Sequence, residues 1–432
     1  MKKILSAFLA LLLLTFSLLP AVAEEEDKGS VTVFNYDKEY NQRFTNATGI
    51  KVNISNYGDD EGDGDSDVAT RISDIFTTKN PDIDVISFWA DDALSLVTEK
   101  GFYTDLSQSE TLKNAFDELY PNISSVMTNE AGEIIAWPVV VDASARTVET
   151  YYLTEGGYET PNTWDELLDV LKQMHEDEFF QETGTVPFDV LNDDKNDLLT
   201  FFVNQYLQNC AMNGDTLSFD TEDFRRIAAR ILDETPDTAP VVREDGTEDA
   251  IFCMTTGSNV INKDQLVPYQ FHEGEDPKVY TSVRVFIINP YSNNKENAFK
   301  YIEYFAQKRT VEDYALYQTM TAPLEDESVV ADITATEEKI AVLEGSEDNA
   351  EEVASLKEEL ASLEQYRYTV SAEDIAAWQS FSKLLYVSTK TLIPEDSGLS
   401  NYLTMLEDGL ITLDEFIQQG NTIVQMIETE AE

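Results

Sequence analysis

The sequence predicts an α/β fold, and three observations carry that prediction. Apolar runs of strand length and longer stretches with helical spacing follow one another in turn from Val31 onward. They do not fall into separate blocks of strands and helices, and that alternation implies parallel strands joined by right-handed crossovers. The chain is also 42% hydrophobic and 11% aromatic over 432 residues, enough to build sizeable cores and to suggest two or three domain-sized units.

Taken in order, "VTVF" from Val31 to Phe34 reads as a short buried strand and Lys38 to Thr48 as a helix. "IKVNIS" is a second strand, Val68 to Thr77 a second helix, "IDVISF" a third strand and "DALSLVTEKG" the helix after it. The middle, from about Thr150 to Asp264, reads as mostly helical. Within it, "ETPNTWDELLDVLKQM" carries Thr163 and Glu166 at capping-box spacing, Asp165 where the helix dipole favours an anion, and Trp164, Leu167, Leu168, Leu171 and Met174 on one apolar stripe. That stripe predicts a core tryptophan. "VYTSVRVFII" from Val279 to Ile288 is strand-like and leads into a helix whose Asn293 and Glu296 have capping spacing. A helical tail follows from about Val311. In it, Ile340, Leu343, Val353, Leu356, Leu360 and Leu363 flank the turn "GSEDN" and predict a projecting coiled hairpin at about 336–365.

The N-terminus reads as a targeting segment. Lys2 and Lys3 precede an apolar run from Ile4 to Leu19, then Pro20 and the small-residue site Ala21-Val22-Ala23. Cleavage after Ala23 leaves 432 − 23 = 409 residues of an exported chain, with no later stretch apolar enough to span a bilayer. The net charge of −54 argues against nucleic acid, whose phosphates it would repel, and against anionic lipid. Cys210 and Cys253 either pair in the oxidising exterior or remain as free buried thiols. With two histidines and no zinc-protease, nucleophile-elbow or phosphate-loop motif, the chain has little material for serine-hydrolase or zinc-hydrolase chemistry, and nothing implies a cofactor.

Two acidic stretches imitate calcium loops. "DDEGDGDSDVAT" places Asp59, Glu61, Asp63, Asp65 and Asp67 at alternate positions with Gly64 at the sixth, yet Thr70 stands where a bidentate glutamate closes such a site. The other, around "DGLITLDEF", would need Leu406 as a ligand and reads instead as a helix capped by Thr412 and Glu415.

Ligands of open parallel sheets collect beyond the carboxyl ends of the strands. Asn35-Tyr36-Asp37-Lys38 follows the first strand and Trp89-Ala90-Asp91-Asp92 the third; "AWPVVVDASA" adds Trp137 and Asp142. Each joins an aromatic face, which covers the C–H surface of a sugar, to groups that bond its hydroxyls.

These blocks resemble the extracellular solute-binding proteins of ABC importers, in particular the maltose/maltodextrin-binding family. "VTVFNYDKEYNQRF…TGIKV", "NPDIDVISFWADD", "WPVVVDASARTVE", "TPNTWDELL", "NPYSNNKENAFKYIEYF" and the closing "GLITLDEFIQQGNTIVQMIETE" appear in the family's order across the mature chain. The resemblance implies a two-lobed, periplasmic-binding-protein-like fold, each lobe a mostly parallel sheet flanked by helices, with a helical C-terminal region. It divides the chain into 24–141 plus about 284–325, and 142–283 plus about 326–432. It further implies a monomeric, non-enzymatic protein at the cell exterior that captures a small solute, a carbohydrate before others, and passes it to permease subunits. Site residues carried over are Asp37, Lys38, Trp89, Asp92 and Asp142, with Tyr36 and Trp137 beside them. "FCMTTGSNV" offers Thr256 and Asn259 where maltodextrin binders have a tryptophan, and Glu24 stands where lipid-anchored members have cysteine. A polyamine binder, whose ammonium groups would need rings and paired carboxylates, is the rival within the class. A secreted glycoside hydrolase using Asp92 and Asp142, or a scaffold acting through the hairpin, are the rivals outside it.

Overall fold

The computed structural model of the protein describes residues 28–34, 38–55, 68–143, 145–148, 150–188, 194–235, 249–255, 265–267, 269–272, 274–307, 310–344, 349–390, 392–393 and 397–431. Its strands are β1 (Ser30–Phe34), β2 (Lys51–Ser55), β3 (Val85–Trp89), β4 (Trp137–Ala143), β5 (Ala145–Val148), β6 (Thr185–Phe188), β7 (Asp249–Thr255), β8 (Gln265–Val267), β9 (Val279–Ile288), β10 (Leu324–Glu325), β11 (Tyr368–Val370) and β12 (Leu385–Val387). Helices are named by their residues.

The opening alternation folds as its pattern demands. Between β1, β2 and β3 lie helices Lys38–Thr48 and Val68–Thr77, and Ala90–Lys100 follows β3. β1 pairs in parallel with both β2 and β3, so β1 is central and its Val31 and Val33 are fully buried. Helix Ala90–Lys100 stops at Gly101, whose φ of 66° is a left-handed conformation that costs glycine nothing.

β9 organises the rest of the first sheet. Thr281 pairs with Ala143 of β4 and also with Val387 of β12, so those two strands lie on opposite edges of β9. Arg284 pairs with Trp89 of β3 and Val140 of β4. β3 and β12 therefore share one edge of β9 and run toward each other along it, while β4 covers the other edge. The second sheet, β6-β7-β5-β8, has β6 parallel to β7 and antiparallel pairs on both sides of β5. The chain passes from one sheet to the other between Ala143 and Ala145.

Each sheet has its own apolar core. The first is built from residues between Val31 and Ala145 and between Val279 and Val387; the second from residues between Val148 and Phe271 and between Leu399 and Val424. This division departs from the expected boundaries, which assigned everything after about 326 to the second lobe. Val370, Ile375, Trp378, Phe381, Leu385 and Val387 pack in the first core, because β12 is held by β9. The tail is thus not one helical region; β11 and β12 interrupt it.

Helix Trp164–Glu176 forms as its cap predicts. Glu166 donates its backbone N–H to Thr163 Oγ1 at 3.1 Å, and its carboxylate accepts the Thr163 N–H at 3.2 Å. Trp164 is fully buried; its Nε1 donates to Gln205 Oε1 at 2.6 Å, and the rings of Phe201, Phe202 and Tyr269 surround it. The Thr412–Glu415 cap also forms, with Glu415 N–H donating to Thr412 Oγ1 at 3.3 Å, so the second calcium-like stretch is a helix start. Cys210 is a free thiol in the second core, and burial pushes its pKa up.

An ion network ties helix Trp164–Glu176 to Glu222–Glu234. Arg230 reaches Asp165 at 2.7 Å, Asp169 at 2.6 Å and Glu234 at 3.0 Å, and Arg226 pairs with Asp165 and Asp223. The Arg230 hydrogen bond holds the Glu234 carboxyl below its ordinary value of 4.5. A depressed carboxylate stabilises the fold above its unfolded pKa, and that contribution is lost as pH falls through the folded value. Arg230→Met is expected to cost about 1 kcal/mol at neutral pH in low salt, the scale of a partly exposed pair. Urea midpoints of the two proteins should converge below pH 4.5.

Helices Glu327–Leu343 and Ala350–Gln365 form the anticipated antiparallel hairpin, joined to the body where β10 pairs with β11. Neither helix contributes a residue to either core.

Candidate ligand-binding site

The site is written in cross-strand register. Side chains directly opposite one another in paired strands share a face, and alternate residues along a strand return to it. On β9 that places Tyr280, Ser282, Arg284 and Phe286 on one face. Tyr386 of β12 stands opposite Tyr280, Asp142 of β4 opposite Ser282, Trp89 of β3 opposite Arg284, and Trp137 of β4 opposite Phe286. Four successive rows thus carry aromatic, hydroxyl, carboxylate and guanidinium groups side by side.

Packing divides this face. At the Phe286 end, Tyr301 and Phe305 of helix Lys295–Gln307 cover it, with ring centroids 5.5 and 5.2 Å away. Phe286 and Trp137 are consequently sealed. Toward Tyr280 the cover ends: Trp89, Asp142, Ser282 and Arg284 are half-buried and Tyr386 is exposed. Trp137 was expected to line the site. It lies instead inside the first core against Phe116, 6.1 Å away, so its ring has no open surface for a ligand.

Helix Ala90–Lys100 adds its first turn, where Asp91 and Asp92 lie favourably against the helix dipole. Ser282 Oγ donates to Asp91 Oδ2 at 2.6 Å, and burial raises the Asp91 pKa. Tyr280, itself buried, is likewise pushed up, first by burial, with a Ser388 hydrogen bond opposing and the charges of Asp91 and Asp92 adding to the rise. That hydroxyl lies 3.4 Å from the Lys390 carbonyl. The arrangement sets an aromatic face beside carboxylate and hydroxyl groups, a combination suited to holding hydroxyls.

Ionised Asp91 is carried at a cost. Its folded pKa lies above the unfolded value of 3.8, so its contribution is fully favourable below that pH and declines as pH rises through the folded value. Asp91→Asn, which can still accept from Ser282, is expected to stabilise the ligand-free protein at pH 7. The difference in melting temperature should shrink as pH falls toward 3.8.

The structure brings Trp89 and Asp142 to this face, and Asp92 stands in the first turn of the helix that begins after Trp89. Lys38 opens helix Lys38–Thr48, next to the end of β1. Tyr36, Asp37, Thr256 and Asn259 lie outside the described residues, as do the calcium candidates Asp59, Glu61, Asp63, Asp65 and Asp67 and the expected signal peptide. Sequence reading passed over Tyr280, Ser282 and Arg284. Their signal was the spacing of Tyr280, Ser282 and Arg284 at every second position of "VYTSVRVFII", with only Thr281 polar among the residues between and after them.

The family of bacterial extracellular solute-binding proteins matches residues 39–341 of this chain. The chain belongs to the bacterial extracellular solute-binding proteins. As a solute-binding protein it is no enzyme, and its family is an exported one; among the described residues no helix is long and apolar enough to cross a membrane. No curated protein matches it. Solved structures agree on the fold. A protein from work on xylan utilization by the thermophilic bacterium Caldanaerobius polysaccharolyticus aligns at a TM-score of 0.57 and 16% identity, over 92% of this solute-binding protein and 100% of the other. The maltose-bound MalE3 of T. maritima aligns at 0.54 and 18% identity, over 93% and 99%. An ABC substrate-binding protein from Listeria monocytogenes in complex with cycloalternan aligns at 0.54 and 12%, over 93% and 100%. At such identities these likenesses establish the two-lobed α/β fold, its sheets flanked by helices, with parallel pairs in the majority in the first sheet and antiparallel pairs in the second.

Proposed function

We propose that this protein captures a neutral polyhydroxylated solute, a sugar or short oligosaccharide, at the Trp89 face and delivers it to the permease of an ABC importer. The observation that carries the reading is the row structure on β9. A half-buried indole stands one row from Asp142 and from Ser282, which holds Asp91, and this combination packs on a pyranose C–H face while accepting from its hydroxyls. Solved proteins of the same fold bound to maltose and to cycloalternan support it. In this reading Asp37 and Lys38 join from the first loop, Thr256 and Asn259 from the second lobe, and the ligand's contacts with both lobes favour a closed state. The lobes are the two cores, joined by the crossing between Ala143 and Ala145, by the chain leading into β9 and by the chain leaving β12. The protein acts as a monomer at the cell exterior after loss of its signal peptide.

A polyamine remains the competing ligand, and Arg284 within the site opposes it. A thermal-shift screen against mono- and oligosaccharides, spermidine and calcium decides, since a ligand bound by the folded state raises the melting temperature. A saccharide shift supports the proposal. Silence toward every saccharide with a saturable spermidine shift overturns it.

A further inference from the structure

We propose that Arg284 is the positioning residue of the Trp89 platform. Its guanidinium backs one face of the indole, so the ring meets ligand through its other face alone and is set against ammonium ligands. This inference rests on the reading of the Trp89 face as the binding site. It deepens that reading by naming what orients the ring and which ligand class the ring accepts.

Three contacts carry it. Arg284 stands directly opposite Trp89 in the β3–β9 pair, and its guanidinium carbon lies 5.8 Å from the indole centroid. Arg284 Nε donates to Ser87 Oγ at 3.0 Å, and Ser87 is fully buried two residues before Trp89 on the same strand. A fixed buried hydroxyl therefore holds the guanidinium, and the guanidinium holds the ring. The first turn of the helix that begins after Trp89 is braced separately, through the Ser282–Asp91 bond. A half-buried indole at a strand end must otherwise lose rotamer freedom when ligand binds; a ring already stacked on an anchored cation has lost it beforehand, which favours affinity. A cation on one face also repels a second cation brought to the same ring, while leaving the opposite face free to cover a pyranose.

The tryptophan inventory makes this measurable without a known ligand. Of the chain's four tryptophans, Trp137, Trp164 and Trp378 are at most 2% exposed, leaving Trp89 as the solvent-facing one. Acrylamide quenching of the ligand-free protein thus reads Trp89. Arg284→Met, which keeps the aliphatic stem, should raise the quenching constant about twofold by uncovering one of the two ring faces, with Arg284→Lys between. Calorimetric titration with maltose, xylotriose and spermidine completes the test. Arg284→Met should weaken whichever saccharide the wild type binds by roughly three- to thirtyfold, the range of a cation–π contact, and strengthen spermidine. Unchanged quenching in a folded Arg284→Met protein overturns the inference. Raised quenching together with a wild type that binds neither saccharide upholds Arg284 as the ring's support while sinking the saccharide reading. Should Arg284→Met fail to fold, Ser87→Ala, which releases the guanidinium without touching the ring, is judged by the same criteria.

Discussion

Replacing Trp164 by alanine is expected to lower the stability of the ligand-free protein by about 3–5 kcal/mol, the cost of deleting a large buried aromatic side chain. The side chain is fully enclosed by Phe201, Phe202 and Tyr269, and its Nε1–H is the donor to Gln205, which is itself buried. Truncation removes apolar contact, opens a cavity and leaves the Gln205 carbonyl oxygen without that donor, and the three penalties act together. Trp164→Phe separates them, restoring most of the packing but not the hydrogen bond. Guanidinium unfolding monitored by circular dichroism checks both, and a loss under 1 kcal/mol for the alanine variant would contradict the packing described. Ligand affinity should be unaffected in whatever fraction remains folded, since Trp164 belongs to the second core and not to the site face.

Trp89→Ala is expected to do the opposite. The ring is half-buried at a strand end, so its removal should cost well under what Trp164→Ala costs, about 1–2 kcal/mol of apo stability. As the aromatic anchor of the proposed site, its loss should cost about 2 kcal/mol or more of binding, roughly thirtyfold in affinity. The ligand-induced thermal shift should vanish at concentrations that saturate the wild type. A variant that retains the full shift would move the site away from β3. The two tryptophans thus form a matched pair of controls, one reporting the fold and the other the ligand.

How far the sequence alone reaches can be followed along these residues. Trp164 was legible because a capping box, an apolar stripe and a helix dipole all agree locally. Trp89 was legible because it closes an apolar strand and stands before two aspartates. Trp137 was not. It lies on the same sheet face as Trp89, and strand parity cannot tell which part of a face a helix far along the chain will cover. Tyr301 and Phe305, more than 150 positions later, decide that. The second sheet was hidden for a related reason. β6 is four residues long with Pro187 inside it, and among the described residues β7 is its only strand partner. A proline is tolerated at such an edge, but it reads in sequence as a break. Membership of the tail followed from a pairing no local pattern announces, three residues of β12 against the start of β9.

The helical hairpin has a consequence for how this protein can be remade. Its two ends enter and leave through β10 and β11, where Glu325 stands opposite Tyr368 and Leu324 opposite Val370. A segment whose ends are neighbours and whose helices lend nothing to either core behaves as a detachable cassette. It can be exchanged for a tight turn, a reporter domain or an affinity tag with little strain on the body. New chain ends could equally be cut at its tip, giving a permuted protein in which fusion partners sit at the end of a ready-made spacer.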